Sequence, residues 1–480
     1  MGNRHHSYRQ LGHHGTTTAR GCPHLRLGNF GKLFPDIPSL PVTEAEAAAL
    51  GGPGGIMHDQ TDRSPDSRIP AGYIFFAQFI DHDITLDVST DLHGQPLSGE
   101  AIQALPNLRS PSLDLDCVYG FGPEASPFLY DRNAPGRLLT GTARNPDDVP
   151  RNEDDRALIG DPRNDENIFV SQLQLLFLRF HNKVLDGLVA TVPTEERFEQ
   201  AQEIVRFHYQ YLVVHDFLRR VCDPTVFAFA WERVQQGKYP LFYRPDQDAH
   251  LPMPVEFSVA AFRFGHTLVR SRYAVNSRNP GIELFDERFN TLGFGGVPRD
   301  LTVDWRFLLA VDDRIPPVCA KAVDHLLADE LIHLPVPVVG RTSFNDRSLA
   351  FRNLLRGNVL ALPSGQDVGW QLHEAGYPVN PKADLDFADI PSWRELPGAM
   401  RQTLEKRTPL FFHLLREAGV GGGEHLGPTG SALLLEVFLG ALQYCNTSFL
   451  KVPGWQPDPR IALCGPGHFS LADIVRYVRD

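Results

Sequence analysis

A chain of 480 residues, 42% hydrophobic and 22% charged, has ordinary globular composition and enough apolar material for a large core. Its net charge of −12 argues against a general nucleic-acid or anionic-membrane surface and leaves only local basic sites. No stretch approaches the roughly 20 consecutive apolar residues of a membrane span. The opening MGNRHHSYRQLGHHGTTTARG lacks the apolar core of a signal peptide, so the expected location is cytoplasmic or reached by non-classical export.

Residues 1–40 are rich in Gly, His, Thr and Arg without a period and read as an arm; His5, His6, His13 and His14 suit a mobile polar tail better than a metal site. Residues 41–480 read as one large, mainly helical domain with little β structure. The first informative segment is FFAQFIDHDITL, where Asp81, His82 and Asp83 interrupt an apolar run. On a helix, successive residues point about 100° apart, so the three face different directions, and Gln78, one turn earlier, shares the face of His82. Charges beside a core must be solvated, paired or ligated. For an isolated triplet a solvated helix face would be the better reading.

Further on, SPSLDLDCVYG (110–120) places hard oxygens at alternating positions: Ser110, Ser112, Asp114 and Asp116. GDPRNDENIF (160–169) sets Arg163 and Glu166 three apart at the start of a predicted helix, along which Leu173, Phe177, Phe180 and Val184 recur at helical spacing. Thr194 opens a second long helix, EERFEQAQEIVRFHYQYLVVHDFLRR, with Glu195 and Glu196 in the turn where the dipole favours acids. AFRFGHTLVRSRY (261–273) spaces Arg263 and His266 three apart, with Gly265 leaving room for a flat ligand, and RNLLRGNVLALPSG (352–365) does the same for Asn353 and Arg356. SALLLEVFLGALQY (431–444) is a last apolar helix. The pieces 86–112, 120–158, 272–300 and 363–395 are rich in Pro, Gly, Asn and Asp and read as long loops, expected where a site is assembled from distant segments. Six well-separated cysteines form no CxxC or CxxCH and read as reduced, packed thiols.

Singly these motifs are weak, since Arg and Glu at such spacing usually form a surface pair and a histidine in an apolar helix is usually a satisfied core residue. Together, QFIDHD, GDPRNDE, AFRFGH and RNLLRG stand in the order and with the internal spacings that resemble the animal haem peroxidases, over residues 70 to 365. The resemblance implies a mainly α-helical fold around a buried haem b. It makes His82 the distal proton acceptor, Arg163 the charge beside it, and Gln78 a partner for water or a small anion in that pocket. It makes His266 the proximal iron ligand, Asn353 the acceptor of its other ring N–H, Arg356 a partner of a haem propionate, and Arg263 a pocket residue. Asp81 and Glu166 match the carboxylates that form ester bonds to haem methyls. The family's sulfonium link needs a methionine after that glutamate, and Asn167 stands there, so none is expected. Asp83 needs a partner; the 110–116 segment resembles the family's calcium loop, with Asp116 where a serine and Ser110 where a threonine is usual, and oxygen ligands of this type suit Ca²⁺.

The implied function is a peroxidase in which hydrogen peroxide, through an oxyferryl intermediate, oxidises a halide, thiocyanate or phenolic donor. A fatty-acid dioxygenase or cyclooxygenase of the same superfamily would carry a tyrosine three residues before the proximal histidine; Arg263 stands there, leaving Tyr209, Tyr211 or Tyr273 as substitutes. A catalytically silent binding module would be expected to have lost His82, Arg163 or His266. A non-haem metal hydrolase would need HExxH or a comparable ligand motif, which is absent.

Overall fold

Thr43 starts the first helix, α1 (Glu44–Gly51), through a capping box: its hydroxyl accepts from the Glu46 N–H, and the Glu46 carboxylate accepts from the Thr43 N–H at 2.9 Å. The computed structural model describes residues 28–479 apart from 88–89, 247–249, 287–290, 341–342 and 464–467. Among them the architecture is mainly α, with four two-stranded β pieces such as the parallel pair Phe30–Gly31 with Met253–Pro254. The chain is already in the core at Phe30, Leu33 and Phe34, and the buried Glu256 carboxylate accepts the Leu33 and Phe34 N–H groups. His5, His6, His13 and His14 lie outside the described residues.

The helix predicted around FFAQFIDHDITL is α2 (Gly72–Ile84). Phe75, Phe76, Phe79 and Ile80 are buried on several of its faces, so this is an interior helix rather than an amphipathic one. Its N-terminal end lies so close to the 305–309 turn that a Cβ at Gly72 would sit 2.6 Å from the Leu309 side chain. His82 and Asp83 are buried as well, which excludes a solvated face for the charged triplet.

Two long helices pack around α2. The first, α3 (Ile168–Gly187), is capped by Asn167, whose Oδ1 accepts from the Phe169 and Val170 N–H groups at 3.1 and 3.0 Å. The second, α4 (Thr194–Leu212), follows Pro193 with no side-chain cap; a π-helical turn at Val213–Phe217 carries it on to Val221, giving one rod over the predicted span. Phe79 stacks on Phe177 of α3 at 4.7 Å, and Tyr209 of α4 meets Phe76, Phe79 and Phe177 edge-on.

In the second half of the chain, α5 (Leu349–Val359) packs on α1, where a Cβ at Gly51 would fall 2.7 Å from the Ala350–Phe351 peptide. Helix α6 (Gly365–Glu374) lies inside the stretch expected to be irregular; Ser364 caps it and the buried Val368 and Leu372, one turn apart, hold it to the core, a short helical signal outweighed in sequence by the surrounding Pro and Gly. Finally α7 (Leu410–Val420) and α8 (Pro428–Tyr444) pack against the 3₁₀ turn Ala261–His266, which is tighter than the α-helix expected there. Cys117, Cys222, Cys319 and Cys445 are free thiols, and no described helix is long and apolar enough to cross a membrane.

Phe79→Ala removes the ring that clamps α2 to α3 and α4 at a fully buried position. It is expected to cost about 3–5 kcal/mol, read as a shift in the denaturation midpoint in urea; a change below about 1 kcal/mol would show that the aromatic cluster does not anchor this helix.

Candidate functional site

The last turn of α2 sends its polar side chains in the three directions that helical geometry requires. The His82 ring is buried; its Nδ1 lies 2.8 Å from Asn164 Oδ1, and its Nε2 lies 3.5 Å from Glu166 Oε1, beyond hydrogen-bond reach. Gln78, one turn earlier, donates through Nε2 to the same Glu166 oxygen and accepts from Asn167 Nδ2 at 3.1 Å. Burial first, then the Arg163 charge, lower the His82 pKa, outweighing Glu166, Asp161 and Asp81, so the ring is neutral. Asp81 is only half-buried and accepts from the Thr85 hydroxyl at 3.0 Å.

Arg163 comes from the 3₁₀ turn Pro162–Asp165 rather than from α3 itself. Its Nη2 lies 2.7 Å from Asp161 Oδ2 and donates to the carbonyls of Thr85 at 2.6 Å and His82 at 3.1 Å. Burial alone would raise the Asp161 pKa, but Arg163 and Arg109 prevail and hold it well below the usual carboxylate range. The guanidinium is therefore fixed on a charged aspartate. It lines a cavity of about 280 Å³ together with Arg263, Arg352, Asn353 and Arg356. Arg356 Nη1 donates to Asp87 Oδ2 at 2.7 Å, and Arg263 Nε donates to the Ser258 carbonyl at 2.9 Å. Burial, with repulsion from Arg263 and Arg352, lowers the Arg356 pKa despite Asp87.

His266 ends the Ala261–His266 turn with Nδ1 2.9 Å from Asn353 Nδ2 on α5. The Asn353 group that meets the ring is thus the amide nitrogen, not the expected oxygen. Burial first, then Arg263, push the His266 pKa down to about 3, against Asp81. Although deep in the protein, His266 and Gly265 keep some accessible surface, and a Cβ on Gly265 would meet only the Ala77 Cβ at 4.0 Å. The cavity lined by Arg163, Arg263 and Asn353 also reaches Thr85 at the end of α2, so a cleft lies beside the junction of α2 and the His266 turn, and both imidazoles feel the Asp81 carboxylate.

Asp83 points away from this cleft. Its fully buried carboxylate accepts from the Leu115 N–H at 3.2 Å and the Tyr209 hydroxyl at 3.1 Å. Leu115 adopts a left-handed conformation (φ 62°), and carboxylate oxygens of Asp83, Asp114 and Asp116 lie within 4.8 Å of one another. Burial and the Asp116 charge push the Asp83 pKa up; Asp116 is raised by burial too, against the pull of Arg109 at 3.4 Å. Of the two serines, Ser112 Oγ is buried without a hydrogen-bond partner, whereas Ser110 Oγ accepts from the Ser112 N–H at 3.3 Å.

Sequence reasoning overlooked Asn164, Gln174 and Asp161. Asn164 Nδ2 donates to Gln174 Oε1 at 2.7 Å, and Gln174 Nε2 to the Cys117 carbonyl at 3.3 Å. A glutamine in the apolar run of α3 was the available signal, because a buried amide must find partners. Of the alternative tyrosines, Tyr209 is engaged with Asp83, the Tyr273 hydroxyl accepts from the Arg270 N–H at 2.8 Å, and Tyr211 packs on His215 with ring centroids 4.2 Å apart.

Residues 95–292 match the animal haem peroxidase family profile, a span that includes the 110–116 loop, Arg163, Glu166 and His266. Relatives include a dual oxidase of Drosophila melanogaster (24% identity over 47% of this chain and 14% of that protein), a peroxidase-like protein of Margaritifera margaritifera (32%; 34% and 22%) and human myeloperoxidase (27%; 44% and 29%). The matched region thus spans less than a third of each of these relatives. Among solved structures, peroxidase A from Dictyostelium discoideum aligns over 95% of this chain and 93% of its own with a TM-score of 0.56 at 15% identity. A fatty acid alpha-dioxygenase from Oryza sativa aligns over 99% and 87% with a TM-score of 0.53 at 14% identity; both likenesses concern the fold. The family profile over residues 95–292 and the peroxidase relatives thus bear out the resemblance of this region to the animal haem peroxidases.

Proposed function

We propose that the protein is a haem peroxidase that uses hydrogen peroxide to oxidise small donors such as a halide, thiocyanate or a phenol. The observation that carries this reading is a pair of imidazoles, His82 and His266, whose pKa values burial lowers, each tied at Nδ1 to an asparagine amide and both within reach of the Asp81 carboxylate. The residues fit haem: an imidazole at His266 that could ligate iron, and Arg263 and Arg356 lining one cavity, the cations that two propionates would need.

When bound, haem supplies the iron that receives the peroxide and the oxidising equivalents passed to the donor. His266 would hold the iron through Nε2, which requires the proton on Nδ1 and the Asn353 amide turned by 180° so that its oxygen accepts that proton. His82 Nε2 would take a proton from the peroxide and return it to the departing oxygen. Arg163, locked on Asp161, would supply fixed positive charge to the same region without reorganising. Gln78 would hold water or a small anion. Asp81 and Glu166, both partly accessible and near His82, would be the carboxylates that form ester bonds to haem methyls. Asn167 is committed to capping α3 and to Gln78, so no sulfonium link is expected.

Asp83, Asp114 and Asp116, with Ser110 and Ser112, would hold Ca²⁺, whose charge would offset the cost of burying the Asp83 carboxylate beside Asp116. Lipid oxidation, the activity named for the dioxygenase neighbours, is the second reading. It is disfavoured by Arg263 at the position where a radical tyrosine would stand.

His82→Ala is expected to slow reaction with hydrogen peroxide by about 10²–10⁴-fold while the Soret band shows haem still bound, whereas His266→Ala should lose the band; unchanged peroxide kinetics in the first variant would refute the assignment of His82. After turnover with peroxide, haem should resist acid-butanone extraction from the native chain and become extractable only when Asp81→Ala and Glu166→Ala are combined, and haem freely extracted from the native chain would remove the esters. Equilibrium dialysis against calcium should show a bound ion that Asp83→Asn abolishes, with a lower melting temperature; equal binding by both proteins would disprove the site.

A further inference from the structure

We infer that Asn164, itself aligned by Gln174, is a positioning residue that fixes His82 in the tautomer with its proton on Nδ1 and its lone pair on Nε2, on the side of Glu166 and Gln78. The inference deepens the reading of His82 as proton acceptor and rests on it.

The argument starts at the far end of the chain of contacts. The carbonyl of Cys117 can only accept, so the Gln174 atom 3.3 Å from it must be the amide nitrogen. Gln174 Oε1 is then the group facing Asn164, and the Asn164 atom 2.7 Å away must be a donor, its own Nδ2. That leaves Asn164 Oδ1 facing His82 Nδ1 at 2.8 Å, and an amide oxygen accepts only, so Nδ1 must carry the proton. Turning either amide over would set oxygen against oxygen. Asn164 and Gln174 are both fully buried, leaving no water to satisfy groups misaligned in that way. One backbone carbonyl thus dictates the direction of three successive hydrogen bonds.

The consequence concerns the other ring nitrogen. A neutral imidazole with its proton on Nδ1 presents a bare lone pair at Nε2. Nε2 is the atom turned to Glu166, whose Oε1 lies 3.5 Å away and itself accepts from Gln78. Without the Asn164 contact, the nearby Glu166 oxygen would favour the opposite tautomer, which has nothing at Nε2 to accept a proton.

The test reads the tautomer directly. The full chain is labelled with ¹⁵N-histidine, the His82 ring signals are identified by their loss in His82→Gln, and shifts are recorded at mildly alkaline pH. The native chain should show a protonated Nδ1 and a bare Nε2. Asn164→Leu should move His82 toward the Nε2-protonated form and lower the rate constant for peroxide roughly 10–100-fold, the range for loss of a partner that orients a reactive histidine. Asn164→Asp, which keeps an acceptor at Nδ1, should keep the proton on Nδ1 at mildly alkaline pH, although its second oxygen then meets Gln174 Oε1. Gln174→Leu, which frees the Asn164 amide, gives an independent reading should Asn164→Leu fail to fold, and should show a mixture. A protonated Nε2 in the native chain, or native shifts in both Asn164→Leu and Gln174→Leu, would overturn the inference. Undiminished peroxide turnover in His82→Ala would instead remove the underlying reading of His82 and leave the tautomer result standing, so the two failures are distinct.

Discussion

Burying the end of α2 is the constraint on which the site depends. An interior helix can place aromatic residues on every face, but when its last turn carries Asp81, His82 and Asp83, each polar group must find its partner in the direction in which helical geometry points it. Asp81 turns toward the Thr85 hydroxyl, His82 toward Asn164, and Asp83 toward Tyr209 and the Leu115 amide. Separate segments are thereby drawn to a single helical turn, and the irregular pieces between helices follow from the need to deliver them there.

The same logic organises the charges. Arg163 sits on Asp161, Arg356 on Asp87 and Arg109 on Asp161 and Asp116, so most of the buried guanidinium groups near the site are held by carboxylates of neighbouring loops. Such pairs add little net stability, because desolvation offsets most of the attraction. What they supply is a fixed position. An arginine already locked in place can stabilise developing charge without first having to move.

Much of this was legible in sequence. The helical frame around α2, α3 and α4 follows from apolar spacing, and Asn167 and Thr43 announce helix starts by their chemistry. The four motifs carry the principal side chains, and His82, Glu166 and Gln78 do converge as their shared face requires. Less visible was anything set by backbone direction rather than side-chain type. Arg163 and His266 come from 3₁₀ turns, which leave no periodicity of their own, and α6 was hidden by flanking Pro and Gly. Asn164 stands inside the GDPRNDE motif and its partner Gln174 only 10 residues on, within α3, yet only the fold tells which atom of each amide faces which.

The line from Cys117 to His82 consists of amides and carries no net charge. A carboxylate in the place of Asn164 would also hold the Nδ1 proton, but it would raise the basicity of the ring and burden the interior with an ion. The amide orients the imidazole without strengthening it as a base. His82 thus remains a weak base held in a fixed orientation, suited to accepting a proton for a moment and handing it on rather than retaining it. Cys117 takes part in both neighbourhoods: its carbonyl aligns Gln174, while its own N–H faces Asp83 at 3.5 Å. A displacement of the acidic loop would therefore reach the histidine as a loss of orientation, even with no change in the charge around it.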